Sequence, residues 1–180
     1  VGLLNSFAYA TFFFLPVGKA LVRRRTIVGV FGWSWLFRYL AMLPVLAAPF
    51  CAARGLPGLA FGLIAAGVAL FNVFRGVAMI GNNPVLAFLA EGRDRGSFIV
   101  SIQIINNLAA MGTSLLVALV LSAVTGDAIV PYLAFIAAGI VVGAVGSGIL
   151  LRTPEPEAYR PAPGSSLPGA MRDAIKERPL

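Results

Sequence analysis

The 180-residue sequence contains no histidine and only one cysteine, Cys51. A disulfide within the chain is therefore excluded, as is a metal site built from histidine and cysteine ligands. No apolar stretch contains an aspartate or glutamate, so a general base for catalysis is not evident either. We therefore expect no enzyme activity, no metal and no cofactor.

Charge is also scarce. Charged residues make up 12% of the chain and hydrophobic residues 59%, with a mean hydropathy of +0.90, whereas soluble domains are about 25% charged. The net charge of +7 comes from basic residues in short segments between apolar runs, not on one amphipathic face. This distribution argues against a nucleic-acid partner. Composition predicts a membrane protein in contact with the lipid bilayer.

Five apolar runs cover residues 1–17, 27–50, 56–80, 98–124 and 129–151. Because about 17–25 residues cross the hydrocarbon as a helix, we predict an all-α, polytopic bundle of five transmembrane helices over residues 1–151. The third run could end near Arg75 or continue to residue 90, since Pro84 permits a kink. Residues 152–180 are proline-rich and predict an extended cytoplasmic linker with a short surface helix over 170–178.

Basic residues follow the first and third runs and recur in the tail, whereas the opposite side has only Arg54. The positive-inside rule places the basic loops and the tail in the cytoplasm of a multi-pass protein of the inner (plasma) membrane. The N-terminus would then lie outside. We therefore expect a preceding helix that this sequence does not contain.

Two arginines, Arg38 and Arg75, lie inside apolar runs. A charge at the centre of a bilayer costs at least about 2.5–3.5 kcal/mol, so such residues usually mark a pathway or an internal ion pair. One interpretation is that they attract an anionic substrate. The other is that each pairs with a group on another helix or extends to the interface. We expect Arg75 to point into the bundle.

Amide side chains recur in the fourth run at helical spacing, and their face continues to Thr113 and Ser114. A polar face in lipid must meet water, substrate or another helix. Interhelical hydrogen bonds, worth about 0.6 kcal/mol each, explain the pattern equally well. We expect Asn72, one turn before Arg75, to face the same space. The candidate cavity residues are Arg38, Asn72, Arg75, Gln103, Asn106 and Asn107.

Small residues at four-residue intervals predict close helix packing in lipid. They occur in the third run and again in the fifth run. We expect the aromatic residues of the second run to contribute to packing as well. The small residues are Gly58, Gly62 and Ala66, then Gly139, Gly143 and Ser147, and the aromatic residues are Trp33, Trp35 and Tyr39.

Three motifs resemble the major facilitator superfamily. Segment 18–25 (GKALVRRR) resembles the glycine-plus-basic loop between the second and third helices of that family. Phe74-Arg75-Gly76 is similar to the arginine–glycine signature of its fourth helix. Segment 89–96 (LAEGRDRG) resembles the acidic turn before its fifth helix. The chain departs from the first motif at Val22, where the family usually has an acidic residue, and at Arg25, where a second glycine is usual.

The resemblance implies helices two to six of an N-terminal half, followed by the start of the central linker. It implies a secondary active transporter of a small solute by alternating access, driven by an ion or proton gradient. The first helix and the C-terminal half of the same protein would be its missing partners. The alternative is a non-transporting membrane subunit or scaffold, and a channel is a weaker third option.

The same resemblance suggests a cytoplasmic gate made from the two loop motifs. We expect the arginines of segment 23–25 to pair with an acidic residue of the second loop. The candidate gate residues are Gly18, Arg23, Arg24, Arg25, Glu91, Asp94 and Arg95.

Overall fold

The computed structural model describes residues 11–22, 24–90, 94–123 and 129–155. Within these ranges the chain forms helices and no strand, which confirms the all-α prediction. A short 3-10 helix, Thr11–Phe14, leads into the first α-helix. The α-helices are α1 (Leu15–Val22), α2 (Ile27–Leu40), α3 (Leu43–Ala53), α4 (Pro57–Leu89), α5 (Arg95–Ala123) and α6 (Ile129–Leu150).

Four segments are long and apolar enough to cross a membrane: Ile27–Ala53, Pro57–Leu89, Gly96–Ala123 and Ile129–Leu150. The first of them combines α2 and α3. The predicted first span is described only in part, where it forms the shorter apolar helix Thr11–Val22. Residues 1–10 and the tail beyond residue 155 lie outside the described ranges, so the predicted surface helix does too. The helices are those of a polytopic membrane protein.

The second predicted span, 27–50, is interrupted and is also longer than expected. Helix α2 ends at Leu40, and α3 begins at Leu43 with Pro44 in its first turn. Proline fits the first turn of a helix because the nitrogen there has no intrahelical acceptor to lose. Helix α3 then runs to Ala53, and the turn to α4 contains Gly55, whose φ of 75° suits glycine.

Helix α4 is continuous through both Arg75 and Pro84 and ends at Leu89. The helix therefore extends over the longer of the two predicted alternatives, whereas the end of the membrane span along it stays a prediction. Its 33 residues correspond to about 50 Å at 1.5 Å per residue. The hydrocarbon core is only about 30 Å thick, so α4 must tilt or project beyond it.

The predicted loop over residues 18–25 is shorter than the motif suggested. Gly18 is buried in α1, and the helix continues to Val22. A Cβ atom at position 18 would lie 2.6 Å from the carbonyl oxygen of Val77, so glycine allows α1 to pack against the α4 backbone. This packing keeps the chain helical to Val22. The described part of the turn between α1 and α2 is residues 24–26.

Helix α4 lies at the centre of the bundle and contacts α1, α2 and α3, while α6 packs against α2 and α3. The turn between α1 and α2 and the segment that follows α6 meet at one end, which we call the basic end because it contains Arg24 and Arg25. The core near this end consists of Ile27, Val28, Phe31, Ala78 and Val85. Helix α5 differs from the others, because none of its described side chains is buried.

The predicted small-residue stripe of α6 makes a close contact at Gly143. A Cβ atom there would overlap the ring of Tyr39, so glycine allows α6 to pack closely against α2. Ser147 is buried, and its hydroxyl donates a hydrogen bond of 2.8 Å to the carbonyl oxygen of Gly143. Gly139 is exposed and has no neighbour within 4 Å among the described atoms.

The other predicted stripe, Gly58, Gly62 and Ala66 of α4, does not form a helix contact in the described part of the chain. All three residues are exposed. The close approach occurs further along α4, at Gly76, where a Cβ atom would overlap the carbonyl oxygen of Thr11. Sequence spacing identified α4 as a packing helix but selected the wrong face near its first turns.

Candidate functional site

The guanidinium group of Arg38 lies among three aromatic rings. Its Cζ is 4.2 Å from the ring centroid of Phe71, 4.6 Å from that of Trp35 and 5.6 Å from that of Tyr39. Each cation–π contact contributes about 0.5–2 kcal/mol. Together these contacts are comparable to the cost of about 2.5–3.5 kcal/mol for an arginine at the bilayer centre. The rings therefore stabilise the Arg38 cation without a carboxylate.

The position of Arg38 along the bundle is deep. It follows Thr26, the residue that caps α2, by 12 positions, which is about 18 Å along a helix. The Nε atom is buried and has no hydrogen-bond partner among the described residues. Arg38 thus combines an aromatic environment with a buried N–H donor that no described residue accepts.

Arg75 was expected to point into the bundle, and within the described helices this prediction is wrong. Its side chain is exposed, whereas Asn72 and Gly76 on the adjacent face of α4 are buried. Gly76 and Asn72 contact Thr11 of the 3-10 helix, so their face of α4 is buried. Arg75 is left on the outer side of the described bundle. No described residue forms an ion pair, hydrogen bond or ring contact with Arg75.

The two arginines lie at the same level of the bundle. Phe37 and Phe74, which immediately precede them in α2 and α4, have ring centroids 5.5 Å apart. Phe71, whose ring centroid lies 4.2 Å from the Arg38 Cζ, precedes Arg75 by one turn of α4 and shares its face. The structure therefore brings together the two cations that the sequence placed on different helices.

Asn72 does not share the exposed position of Arg75. Its side-chain Nδ2 donates a hydrogen bond of 2.8 Å to the carbonyl oxygen of Val68. The Thr11 hydroxyl lies 3.4 Å from both the carbonyl oxygen and the Oδ1 atom of Asn72. This geometry supports the interpretation that Asn72 joins α4 to the 3-10 helix that precedes α1.

The amides of α5 are not joined to the arginines. Gln103, Asn106 and Asn107 are all exposed. Gln103 Nε2 donates to Asn107 Oδ1 at 3.2 Å, a contact within the helix itself. Among the described residues, no hydrogen bond connects these amides to α2 or α4. They form a polar face on a helix that the rest of the described bundle leaves uncovered.

Asn82 and Asn83 were not among the predicted site residues. Both are exposed, and they follow Arg75 in α4 by seven and eight positions, which places them on the same face of the helix. This polar strip runs from Arg75 towards the basic end. Their spacing from Arg75 was visible in the sequence, but hydropathy left open whether the third span ends near Arg75 or continues to residue 90.

At the basic end, Glu155 caps the N-terminus of α2. Its Oε1 accepts a hydrogen bond from the Ile27 N–H, and its Oε2 accepts one from the Val28 N–H at 3.0 Å. The N–H groups of a first helical turn lack intrahelical acceptors, and the helix dipole favours a negative charge there. Glu155 therefore ties the segment after α6 to the start of α2. No local pattern in the sequence predicts this contact, because its partners are 128 and 127 residues apart.

Only some of the predicted gate residues are described by the structure. Arg24 and Arg25 are exposed, and Asp94 Oδ1 accepts a hydrogen bond of 3.1 Å from the Gly96 N–H at the start of α5. Within the described ranges, no ion pair joins Asp94 to either arginine. Arg23 and Glu91 lie outside those ranges, and only the backbone of Arg95, the first residue of α5, is described.

No protein-family model, curated protein or solved structure matches the chain. The resemblance to the major facilitator superfamily therefore stays a prediction that depends on three short motifs.

A cavity of about 730 Å³ lies between α1, α2 and α4. Its walls are largely apolar and include the aromatic rings of Phe14, Trp33, Phe37 and Phe74, while Arg25 and Thr26 lie at its basic end. Among the described residues, no group of three or more histidine, cysteine, aspartate or glutamate side chains could hold a metal. The residues that line this cavity do not include Arg38 or Arg75, whose guanidinium donors suit the binding of anions.

Proposed function

We propose that these helices belong to a secondary active transporter that moves a small solute across the membrane by alternating access. The observation that carries the proposal is the Arg38–Arg75 pair at mid-depth. The aromatic rings around Arg38 offset part of its cost in lipid, but no described side chain does so for Arg75. Ionisable residues at this depth mark substrate or ion pathways, and carriers place their sites near the midplane.

The motif resemblance supports a specific assignment of the helices. Segment 11–22 would correspond to the second helix of the family, α2 with α3 to the third, and α4, α5 and α6 to the fourth, fifth and sixth. The basic end would face the cytoplasm of the inner membrane, because positively charged loops are retained there. The polar face of α5 would then meet the central cavity and the helices that complete the carrier. An ion or proton gradient would supply the energy.

The second candidate function is a non-transporting membrane subunit. The polar face of α5 supports the subunit function as well as it supports transport, because an uncovered polar face could bind another membrane protein. In that case the amides would hold helices together, and the arginines would pair with a partner's acidic groups. Transport by the full-length protein distinguishes the two functions.

The test uses the full-length protein reconstituted in vesicles with an imposed proton or sodium gradient. We expect gradient-dependent uptake of at least one solute from a panel of anions, cations, sugars and amino acids. Arg38→Ala and Arg75→Ala should abolish that uptake, whereas Arg54→Ala, in the exposed turn at the opposite end, should retain it. Lack of uptake across the whole panel would favour the subunit. The 180-residue chain alone should not transport, because half of the proposed site would be absent.

A further inference from the structure

We infer that Arg38 and Arg75 together form a binding site for an oxyanion, namely a carboxylate, phosphate or sulfate group of a water-soluble solute. Transport of the bound solute depends on the proposed function. The binding itself does not. The inference is based on charge balance, on the different environments of the two guanidinium groups, and on the depth of the pair.

No carboxylate in the described part of the chain balances the charge of the pair. The described carboxylates are Asp94 and Glu155, and each accepts hydrogen bonds from the backbone at a helix N-terminus near the basic end. The remaining acidic residues fall between or after the apolar runs, so none reaches mid-depth as part of a span. They are Glu91, Asp127, Glu157, Asp173 and Glu177. The apolar runs themselves therefore supply no negative charge to the pair, which leaves it open to an anionic ligand.

The two guanidinium groups differ in a way that suits ligand binding. Contacts with Phe71 and Trp35 fix the plane of Arg38, but ring contacts do not use its N–H donors. Its buried Nε remains without a partner in the described part of the chain. Arg75 is exposed and can rearrange to meet a ligand. A guanidinium group binds a carboxylate or phosphate through two parallel hydrogen bonds, so one fixed and one adjustable group can hold an oxyanion between them.

Depth identifies a solute rather than a lipid as the source of the oxyanion. Arg38 lies about 18 Å from the capped start of α2, whereas half of the hydrocarbon thickness is about 15 Å. A phospholipid headgroup at the basic end would therefore meet Arg24 or Arg25 first. The exposed Asn82 and Asn83 provide polar groups between that end and Arg75, on the same face of α4. A water-soluble anion would find hydrogen-bonding groups along this route.

The experiment measures thermal unfolding of the purified full-length protein in lipid-free detergent. Inorganic phosphate, sulfate and succinate are titrated separately at constant ionic strength, with sodium chloride as the balancing salt and glucose as an uncharged control. A ligand that binds only the folded state raises the unfolding temperature in a saturable way. We expect at least one oxyanion to do so, and neither chloride nor glucose.

Arg75→Gln is the decisive variant. Because Arg75 is exposed and forms no hydrogen bond, ion pair or ring contact with another described side chain, its replacement should leave the unfolding temperature without ligand unchanged. The apparent Kd for the oxyanion should rise at least about tenfold, the effect of losing one charge-assisted hydrogen bond. Arg75→Lys should recover part of the affinity, since it restores charge without the two-pronged geometry. Arg54→Gln, an exposed arginine at the opposite end, should bind as the wild type does.

The inference is overturned if none of the three oxyanions gives a saturable shift, or if Arg75→Gln binds with unchanged affinity. An acidic side chain from another part of the protein would produce the first of these results, because it would already occupy the pair. Oxyanion binding without transport of any solute would reject the proposed function and retain this site. Gradient-driven transport of an uncharged solute, undiminished by Arg75→Gln, would retain the function and reject the site.

Discussion

Helices α4 and α5 have similar lengths, 33 and 29 residues, and both are apolar enough to span a membrane. Helix α4 nevertheless buries residues from Ala60 to Val85, whereas none of the described side chains of α5 is buried. The glycines show the difference directly. A Cβ atom at Gly76 of α4 would overlap the carbonyl oxygen of Thr11, whereas a Cβ atom at Gly112 of α5 would meet no described atom within 4 Å beyond its own helix backbone. Hydropathy brings both helices into the membrane, but it does not determine which of them packs.

The difference in packing between α4 and α5 follows from the lipid that surrounds them. Lipid tails are as apolar as leucine, so an apolar helix gains little hydrophobic energy when it leaves lipid for another helix. Association depends instead on close backbone approach and on hydrogen bonds. Helix α4 has both, at Gly76 and at Asn72. Helix α5 has amides that bond to each other or remain exposed, so its polar face is available to water or to a helix outside this chain.

The largest effect is expected when one methyl group is added to a glycine of α4, and the same change in α5 is its comparison. Gly76→Ala should destabilise the bundle by about 1–3 kcal/mol, as overpacking of a close contact does. The added Cβ would overlap the carbonyl oxygen of Thr11, a backbone atom that cannot rotate away. The measurement is equilibrium unfolding in mixed micelles, followed by circular dichroism.

Gly112→Ala in α5 is the matched control for that substitution. Its Cβ would enter open space, and alanine is the better helix former, so stability should stay unchanged or rise slightly. Equal losses from the two substitutions would show that α5 packs as tightly as α4, which would remove the distinction between the helices.

A somewhat smaller effect is expected from the carboxylates that cap helices. Glu155→Ala should cost about 1–2 kcal/mol, because two N–H groups of α2 lose their acceptor and a favourable charge leaves the helix dipole. The same substitution also releases the segment after α6 from the packed bundle. Proteolysis of the tail, measured alongside unfolding, should accelerate in this variant.

Asp94→Ala provides the comparison on α5. Asp94 accepts a single hydrogen bond, from Gly96 two residues away, so its loss is local to the start of that helix. Unfolding of the packed bundle should be unchanged. A loss as large as that for Glu155→Ala would mean that the start of α5 is coupled to the rest of the fold.

The sequence predicted the helical class and, with most of their bounds, the four long apolar segments that the structure describes, because these depend on hydropathy summed over many residues. The fifth predicted span, 1–17, is described only from Thr11. Helix α4 shows the limit of that signal. Hydropathy falls between Arg75 and Leu89, yet the helix continues through Pro84 because its buried face, including Ala78 and Val85, packs against α2. The extension of α1 to Val22 has the same origin, in the packing of Gly18 against α4.

Contacts within the candidate site were less predictable. Glu155 and Ile27 are 128 residues apart, so no local pattern pairs them. The proximity of Arg38 and Arg75 depends on the register of α2 against α4, which the rings of Phe37 and Phe74 fix through side-chain shape. The spacing of Asn82 and Asn83 from Arg75, in contrast, was present in the sequence. Helical periodicity identifies residues that share a face, but it does not identify what that face contacts.

A weaker effect is expected from loss of the polar contact between Thr11, in the 3-10 helix, and Asn72 of α4. Thr11→Val removes the hydroxyl near Asn72 and should destabilise the bundle by about 0.6 kcal/mol, a typical value for hydrogen bonds between membrane helices. Thr113→Val in α5 makes the same chemical change at an exposed position and should have no measurable effect. If the two substitutions gave equal losses, buried hydrogen bonds would not explain why α4 packs.

The smallest effect should come from the amide pair of α5. Gln103→Leu removes a bond to Asn107 within one helix, a type of contact worth about 0.2–0.5 kcal/mol. The midpoint of bundle unfolding should therefore not move, since no described residue outside α5 takes part in the bond. Under the proposed function, uptake by the full-length protein should nevertheless fall, because the polar face of α5 would border the solute cavity. Unchanged uptake with reduced stability would reverse this assignment, since the amides would then join α5 to another helix and the solute would be bound elsewhere.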